Sequence, residues 1–495
     1  MFPHRVTFGA LSDDVLLEIF DFYQAIMSIQ FHWLGHIPED TWHTLVHVCK
    51  RWRSIVFASP HRLQLQLLCK NNRPVHTLNI WPELPIVISG RRGMSKPQDA
   101  DNLLAALTQH DRVAKIDLGN IPNSFLIKIR AREMRDPFSA LTSLLLSSPN
   151  INAPALPDSF LGGSAPRLQT LILSRIPFPA LPKLVLSTHD LVQLRLSDIP
   201  LSGYISPEAM VTYFSTLIRL QVLRLEFQSP RSRADRETRL VPRLTRLVLP
   251  ALVELYLKGD SEFLEDIVAQ IDTPLLSQLK IPFFNQLIFD TPLLGHFISR
   301  TETFKAPRRA REMFRESKVE VGLDPQDGNV FYKISSLEIS CRPSDWQLSS
   351  LTQVCDSALS PLPTLEFLEI NIGRSWKDDV ENAQYWLELL HSFTSIKDLL
   401  LRDESIQHVA LTLEKLAGER ETEVLPALQF LFSEGPQPSD LVKEAIGKFV
   451  AARQLSGRPV SVHHRTNEQP TWQQVHWEAG NRPLDAPKSA PCSCG

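Results

Sequence analysis

The chain has 495 residues, 52 Lys and Arg against 55 Asp and Glu, and a formal net charge of -3. With 43% hydrophobic and 22% charged residues it reads as globular, not disordered, collagen-like or supercharged, and no basic excess points to nucleic acid. It contains no run approaching the roughly 18 apolar residues of a membrane span. Its opening lacks the basic stretch and apolar core of a secretory leader. The expectation is an intracellular protein, cytoplasmic, nuclear or both. Its cysteines, Cys49, Cys69, Cys341, Cys355, Cys492 and Cys494, are then reduced and in part buried as small hydrophobes.

The first apolar positions, Leu11, Val15, Leu16, Ile19 and Phe20, recur at helical spacing in LSDDVLLEIFDFYQ. Ser12 suits the N-cap, and Asp13 and Asp14 complement the helix dipole. A second stretch, TWHTLVHVCKRWRSIVFASPHRL, places Trp42, Leu45, Val48, Cys49, Trp52 and Val56 at apolar positions and ends at Ser59-Pro60. Periodicity alone predicts two or three short helices packed on one another, which a repeat array also needs as an N-terminal cap.

Leu11, Asp13 to Leu17, Ile19-Phe20, Val48-Cys49-Lys50-Arg51-Trp52-Arg53 and Ser59-Pro60 resemble the F-box, whose usual form is LPxEllxxIf followed by VCKrWr and spP. The resemblance covers roughly residues 9 to 66. Ser12 stands where proline is usual, and Phe22 to Glu39 holds an insertion between the first helix and the VCKRWR helix. An F-box implies docking to a Skp-family adaptor and, through it, to a cullin-RING ubiquitin ligase. On that basis Leu11, Val15, Leu16, Ile19, Phe20, Leu45, Val48, Cys49 and Trp52 form the helical core and the adaptor-facing surface. Which of them face inward is left open by the sequence.

Leucine occurs 73 times and glycine, at 19, falls below proline, at 37. Such a composition invites a search for repeats. The pattern L-x-x-L-x-L, with Ile or Val allowed, appears at Leu141/Leu144/Leu146, Leu168/Leu171/Leu173, Leu191/Leu194/Leu196, Leu220/Leu223/Leu225, Leu252/Leu255/Leu257 and Leu276/Leu279/Ile281. It resumes at Ile334/Leu337/Ile339, Leu365/Leu368/Ile370 and Ile396/Leu399/Leu401, with a weaker match at Leu425/Leu428/Phe430. The spacing, about 27 to 31 residues, straddles the leucine-rich-repeat range. In each match the leucines point to a shared core from a short strand, while the residues between them alternate outward. The motif at Leu244/Leu247/Leu249 lies too close to the one at Leu252 for both to be full repeats.

Several connections read as helices: Ser206-Pro207-Glu208 followed by Met210, Val211, Phe214 and Leu217; Glu262 to Ile271; Trp346 to Leu359; and Val380 to Leu390. Between Ile281 and Ile334 the pattern lapses. There KAPRRAREMFR, Lys305 to Arg315, reads as a solvated helical or loop insertion before a strand at Val319 to Leu323. Asp440 to Leu455 is an amphipathic helix ended by Ser456-Gly457, suited to closing the last strand.

The expected fold is α/β: an irregular leucine-rich-repeat solenoid, or horseshoe, preceded by a small all-α F-box-like helical domain. The expected domains are 1–70 for the helices, 71–455 for the solenoid with its capping helix, and 456–495 for a loosely ordered tail. An F-box, irregular repeats and a closing helix together resemble the F-box-like families of mushroom-forming (basidiomycete) fungi.

No phosphate loop, dinucleotide-binding glycine motif, H-E-x-x-H or nucleophile elbow occurs, so no catalytic residue is assigned and no cofactor is expected. Gly162-Gly163 reads as a turn. Cys492 and Cys494 with His463, His464 and His476 fit no common zinc spacing. His43 and His47, four apart on the second helix, are read as part of a partner surface, so no metal site is assigned. The resulting reading is a substrate-recognition adaptor of a Skp-cullin-F-box ligase, with neither nucleic acid nor membrane as partner. The alternative is a non-catalytic repeat scaffold whose F-box-like helices serve only as a cap. The target is unidentified. Its recognition falls to the variable strand positions Gln169, Thr170, Val192, Gln193, Arg195, Arg224, Glu254, Lys280, Glu366 and Glu369; Tyr256 is read as core packing, with a binding anchor as the alternative.

Overall fold

The computed structural model describes residues 11–33, 42–70, 82–90, 97–129, 134–228, 246–284, 286, 288–304, 307–324, 335–340, 344–359, 365–373, 375–376, 384–416, 424–466, 471–475 and 477. They fall into two compact units, 1–229 and 230–495.

The first unit opens with α1 (Asp13–Trp33), α2 (Trp42–Val46) and α3 (Lys50–Ala58). The helix beginning at Asp13 runs on through Phe22 into the inserted segment. The second apolar stretch forms two helices, so the segment holds three in all, within the two or three that its periodicity predicts. Cys49 lies in extended backbone, and its Sγ accepts the Trp52 amide as an N-cap, so the helix is interrupted at 47–49. His43 and His47 therefore do not share a helix.

Seven strands follow: β1 (Leu67–Lys70), β2 (Ile86–Gly90), β3 (Val113–Leu118), β4 (Ser143–Ser147), β5 (Thr170–Ser174), β6 (Gln193–Ile199) and β7 (Val222–Phe227). Each pairs in parallel with the next. The connections carry α4 (Pro97–Leu107), α5 (Asn123–Lys128), α6 (Leu181–Val185) and α7 (Pro207–Phe214). The last of these is capped by Ser206 with Pro207 in its first turn, as its sequence predicts.

The repeat leucines stack in register. Ile116, Leu144, Leu171, Leu194 and Leu223 form one buried row, and Leu118, Leu146, Leu173, Leu196 and Leu225 the next. Each leucine so buried is worth roughly 1.5 to 3 kcal/mol, and each repeat obtains that burial only from its neighbours. Val113/Ile116/Leu118 is thus a further repeat, one step before the first leucine match. Gly162 and Gly163 make the expected turn, at φ +63° and +72°; a Cβ on Gly162 would lie 2.7 Å from the Pro137 nitrogen.

The second unit begins with β8 (Leu247–Val248), which among the described residues pairs with β10 (Ile271–Asp272) and not with the main sheet. Of the two crowded motifs, the one at Leu252 is therefore the full repeat. The main sheet contains β9 (Glu254–Lys258), β11 (Gln278–Phe283), β12 (Arg309–Arg315), β13 (Lys318–Asp324), β14 (Ser335–Ile339), β15 (Phe367–Ile372), β16 (Asp398–Asp403), β17 (Phe430–Glu434), β18 (Ser461–Arg465) and β19 (Gln473–Gln474).

Helices α8 (Ser261–Gln270), α9 (Pro292–Arg300), α10 (Ser344–Val354), α11 (Gln384–His391), α12 (Ser405–Leu416) and α13 (Asp440–Leu455) connect them, α10 continuing into a π-helical turn at Cys355–Leu359. The spatial order is β9-β11-β14-β13-β12-β15-β16-β17-β18-β19, parallel except at β13 and β19.

Three expectations fail here. The basic run expected as a solvated insertion is β12, whose alternating Ala310, Glu312 and Phe314 are buried while Arg309 and Arg315 are exposed. The weak match at Leu425/Leu428/Phe430 is out of register. Leu399 pairs with Leu431, so the repeat is Leu428/Leu431/Ser433 and Phe430 points to solvent. Residues 461–465, placed in the loose tail, form β18 alongside β17. Cys492, Cys494 and His476 lie outside the described residues. The architecture is α/β with parallel sheets built from strand-and-helix repeats.

Candidate functional site

The three N-terminal helices carry the residues singled out by the F-box resemblance, and packing divides them. Leu16, Phe20 and Leu45 are buried with Leu17, Trp42, Val46, Ile55 and Val56. Phe20 meets the Trp52 ring with centroids 4.8 Å apart, and Trp52 and Leu11 are half-buried. Cys49 is exposed. Val15 is 44% exposed, Ile19 40% and Val48 58%. The nine residues are therefore one small core and one separate outward set.

Polar contacts at the rim accompany the inward turn of the Leu16, Leu17 and Phe20 face of α1. Arg51 on α3 reaches back to α1, with Nη2 2.6 Å from the Asp13 carboxylate and 2.5 Å from the Leu11 carbonyl oxygen. Arg62 takes Asp21 at 2.8 Å and Glu18 at 2.5 Å. Arg53 donates to the Val46 carbonyl at 3.0 Å, holding α2 against α3. The two carboxylate clusters are largely exposed, so each pair contributes little to stability and mainly sets orientation.

Sequence reasoning missed two further members of the outward set. Phe22 is 69% exposed and Ile26 39%. At 100° per residue, Val15, Ile19, Phe22 and Ile26 lie within an arc of about 60° on α1. This is a four-residue apolar stripe with 4-3-4 spacing. The spacing was visible in the sequence, but Phe22 and Ile26 fall beyond the motif, inside the inserted segment. Exposed apolar surface organised along one helix face marks a site of association.

The sheet faces offer the second candidate surface. Thr170, Gln193, Arg195, Arg224, Glu254 and Lys280 are half-buried on the solvent side of their strands, as the alternation predicts, and Tyr256, read as core, lies half-buried on that side too; Val192 and Glu366 are half-buried and Gln169 exposed just before theirs. Glu369 differs: it is buried within an ion-pair ladder. Arg311 lies 3.0 Å and Arg402 2.7 Å from its carboxylate; Arg402 is 3.5 Å and Arg465 2.7 Å from Glu434.

Beside the ladder, Phe430, Phe432 and His463 stack across β17 and β18, and Trp472 packs on Phe432 at 5.1 Å. Lys397, 2.7 Å from Glu366, hydrogen-bonds that carboxyl and draws its pKa down. His463 and His464 alternate to opposite faces of β18, His464 buried against Ser433 at 3.2 Å.

Among the described residues no group of three or more His, Cys, Asp or Glu is placed to hold a metal ion. No described helix is long and apolar enough to cross a membrane.

No family model matches the chain, and no curated protein matches it in sequence. Among solved structures the chain is similar to the leucine-rich repeat-containing protein LegL7 from Legionella pneumophila. The two share 11% identity over 83% of this chain and 93% of that one, with a TM-score of 0.21.

Proposed function

We propose that the chain is a substrate-recognition adaptor of a Skp-cullin-F-box ubiquitin ligase, acting in the cytoplasm or nucleus without chemistry of its own. Its N-terminal helices dock the Skp-family adaptor, and the solvent faces of its repeat sheets bind a target protein. The observation that carries this reading is the outward apolar set Val15, Ile19 and Val48 on the segment whose sequence resembles an F-box. The repeat sheets support the second half, since stacked repeats present a broad, variable surface with no need of a catalytic pocket.

The test is co-expression with the host's Skp adaptor and pull-down of the full chain, wild type beside Val15→Asp/Ile19→Asp, with circular dichroism on both. Retention by wild type and loss by the folded variant supports the reading. A wild-type chain that fails to retain the adaptor overturns it.

One observation favours the second reading, in which the helices only cap a repeat scaffold. The buried Trp42 indole donates to the Gln66 carbonyl at 3.0 Å, one residue before β1, tying α2 to the start of the sheet. Under this reading the aspartate variant changes neither adaptor binding nor fold.

A further inference from the structure

Glu312 occupies a leucine position. Ala310 pairs with Leu368 and Glu312 with Ile370, just as Leu368 pairs with Leu399 and Ile370 with Leu401. Pro307, Ala310 and Glu312 therefore form a repeat of the L-x-x-L-x-L kind, with a glutamate where neighbouring repeats carry leucine or isoleucine. The Glu312 side chain is 0% exposed, and among the described residues neither of its carboxylate oxygens has a hydrogen-bond partner.

The surroundings of that carboxyl are apolar. Opposite it on β13 is Val321 and on β15 Ile370, both buried. Glu320, the nearest acid on β13, pairs with Met313 and so turns to the other face of the sheet. The titratable group that shares its surroundings is the buried Cys355 thiol of the π-helical turn; burial, Glu312 and then Asp356 push that thiol well up. Burial alone raises the Glu312 carboxyl from 4.5 to about 8. Ionising it in place would leave a buried charge with no partner among the described residues, which the fold escapes by keeping it protonated or by opening.

We propose that Glu312 is a proton-operated latch on the β12–β13 hairpin: as the neutral acid it lets the hairpin close the sheet between β14 and β15, and on losing its proton it drives the hairpin out of the sheet. The opposite face of β12 carries Arg311, the first arginine of the ladder that runs through Glu369, Arg402 and Glu434 to Arg465. Opening withdraws Arg311 from Glu369, so the solvent face of this unit changes its charge arrangement with pH. The open form exposes Glu312 at an ordinary carboxyl pKa. One proton is then released per opening, and the open population rises about tenfold per pH unit up to the closed-state pKa, then levels off.

Hydrogen exchange of the full chain from pH 5 to 9, corrected for the intrinsic pH dependence of amide exchange, tests this. In wild type the amides of the β12–β15 and β13–β14 ladders should exchange about tenfold faster per pH unit up to about 8 and then plateau, while those of β5 and β6 stay flat. Glu312→Gln, nearly isosteric and uncharged, should abolish the slope. Glu312→Leu, which restores the leucine of the repeat, serves as an independent second variant. A flat wild-type profile overturns the latch, as does a slope that survives in either folded variant.

Discussion

Glu265 and Arg300 tie the same two helices together from opposite ends. The buried Glu265 carboxylate on α8 accepts the Leu293 and Leu294 amides at 2.9 and 2.7 Å, capping the N-terminus of α9. Arg300 at the end of α9 donates to the carbonyls of Val268 and Ile271 at 2.7 and 2.6 Å, capping the C-terminus of α8. Each helix thus supplies the charge that the other's dipole favours.

Glu265→Ala leaves two first-turn amides unpaired in the interior and is expected to cost about 2 to 3 kcal/mol. Arg300→Ala acts on the same helix pair, so the double variant should lose less than the two single losses together. Urea unfolding of the four proteins measures the coupling; strict additivity counts against a shared clamp.

Replacing Glu312 by leucine should stabilise the protein, and more so as pH rises. The folded pKa of about 8 lies above the ordinary 4.5, so the stability associated with the neutral acid is complete below about pH 4.5 and is lost progressively up to about 8. The full loss is on the order of 4 to 5 kcal/mol. Glu312→Leu lacks that dependence, so its unfolding midpoint should diverge upward from wild type between pH 5 and 8. Parallel profiles would show that Glu312 does not titrate with folding.

Neighbouring residues on α1 should respond in opposite ways. Leu16 is fully buried, and Leu16→Ala is expected to cost 2 to 5 kcal/mol. Val15→Ser, on the exposed stripe, should change stability by no more than about 0.5 kcal/mol. Thermal unfolding separates the two, and only a variant of the Val15 kind gives an interpretable binding experiment.

Much of this organisation is legible in the leucine rows, because a strand period of two with one buried face leaves a regular trace. It fails where a repeat spends its leucine positions on something else. The β12 repeat has Pro307, just before the strand, Ala310 and Glu312 there, and its basic solvent face, Arg309, Arg311 and Arg315, dominates the reading of the segment. At β17 the last leucine is Ser433, buried through its contact with His464, which shifted the match by three residues. In the helices, periodicity finds apolar positions but does not separate Val15 from Leu16. That division is made by long-range partners, Arg51 to Asp13 and Phe20 to Trp52, which no local pattern encodes.

Arg453 shows the same dependence on distant partners. It sits on α13 with 0% exposure, and its Nη2 lies 3.4, 3.3 and 3.3 Å from the carbonyls of Leu425, Pro426 and Leu428. Leu425 holds φ at +47°, a left-handed conformation unfavourable for a leucine. The guanidinium gathers the carbonyls of the turn that delivers the chain into β17. Arg453→Met keeps the length of the side chain but removes every donor, leaving those carbonyls in the interior. The expected cost is about 2 to 4 kcal/mol, with faster hydrogen exchange in β17 and β18 and none in β5 or β6. Lysine should recover only part of it, because a single ammonium replaces the planar fork. Unchanged exchange in β17 for Arg453→Met would mean that the turn holds its strained geometry without the arginine.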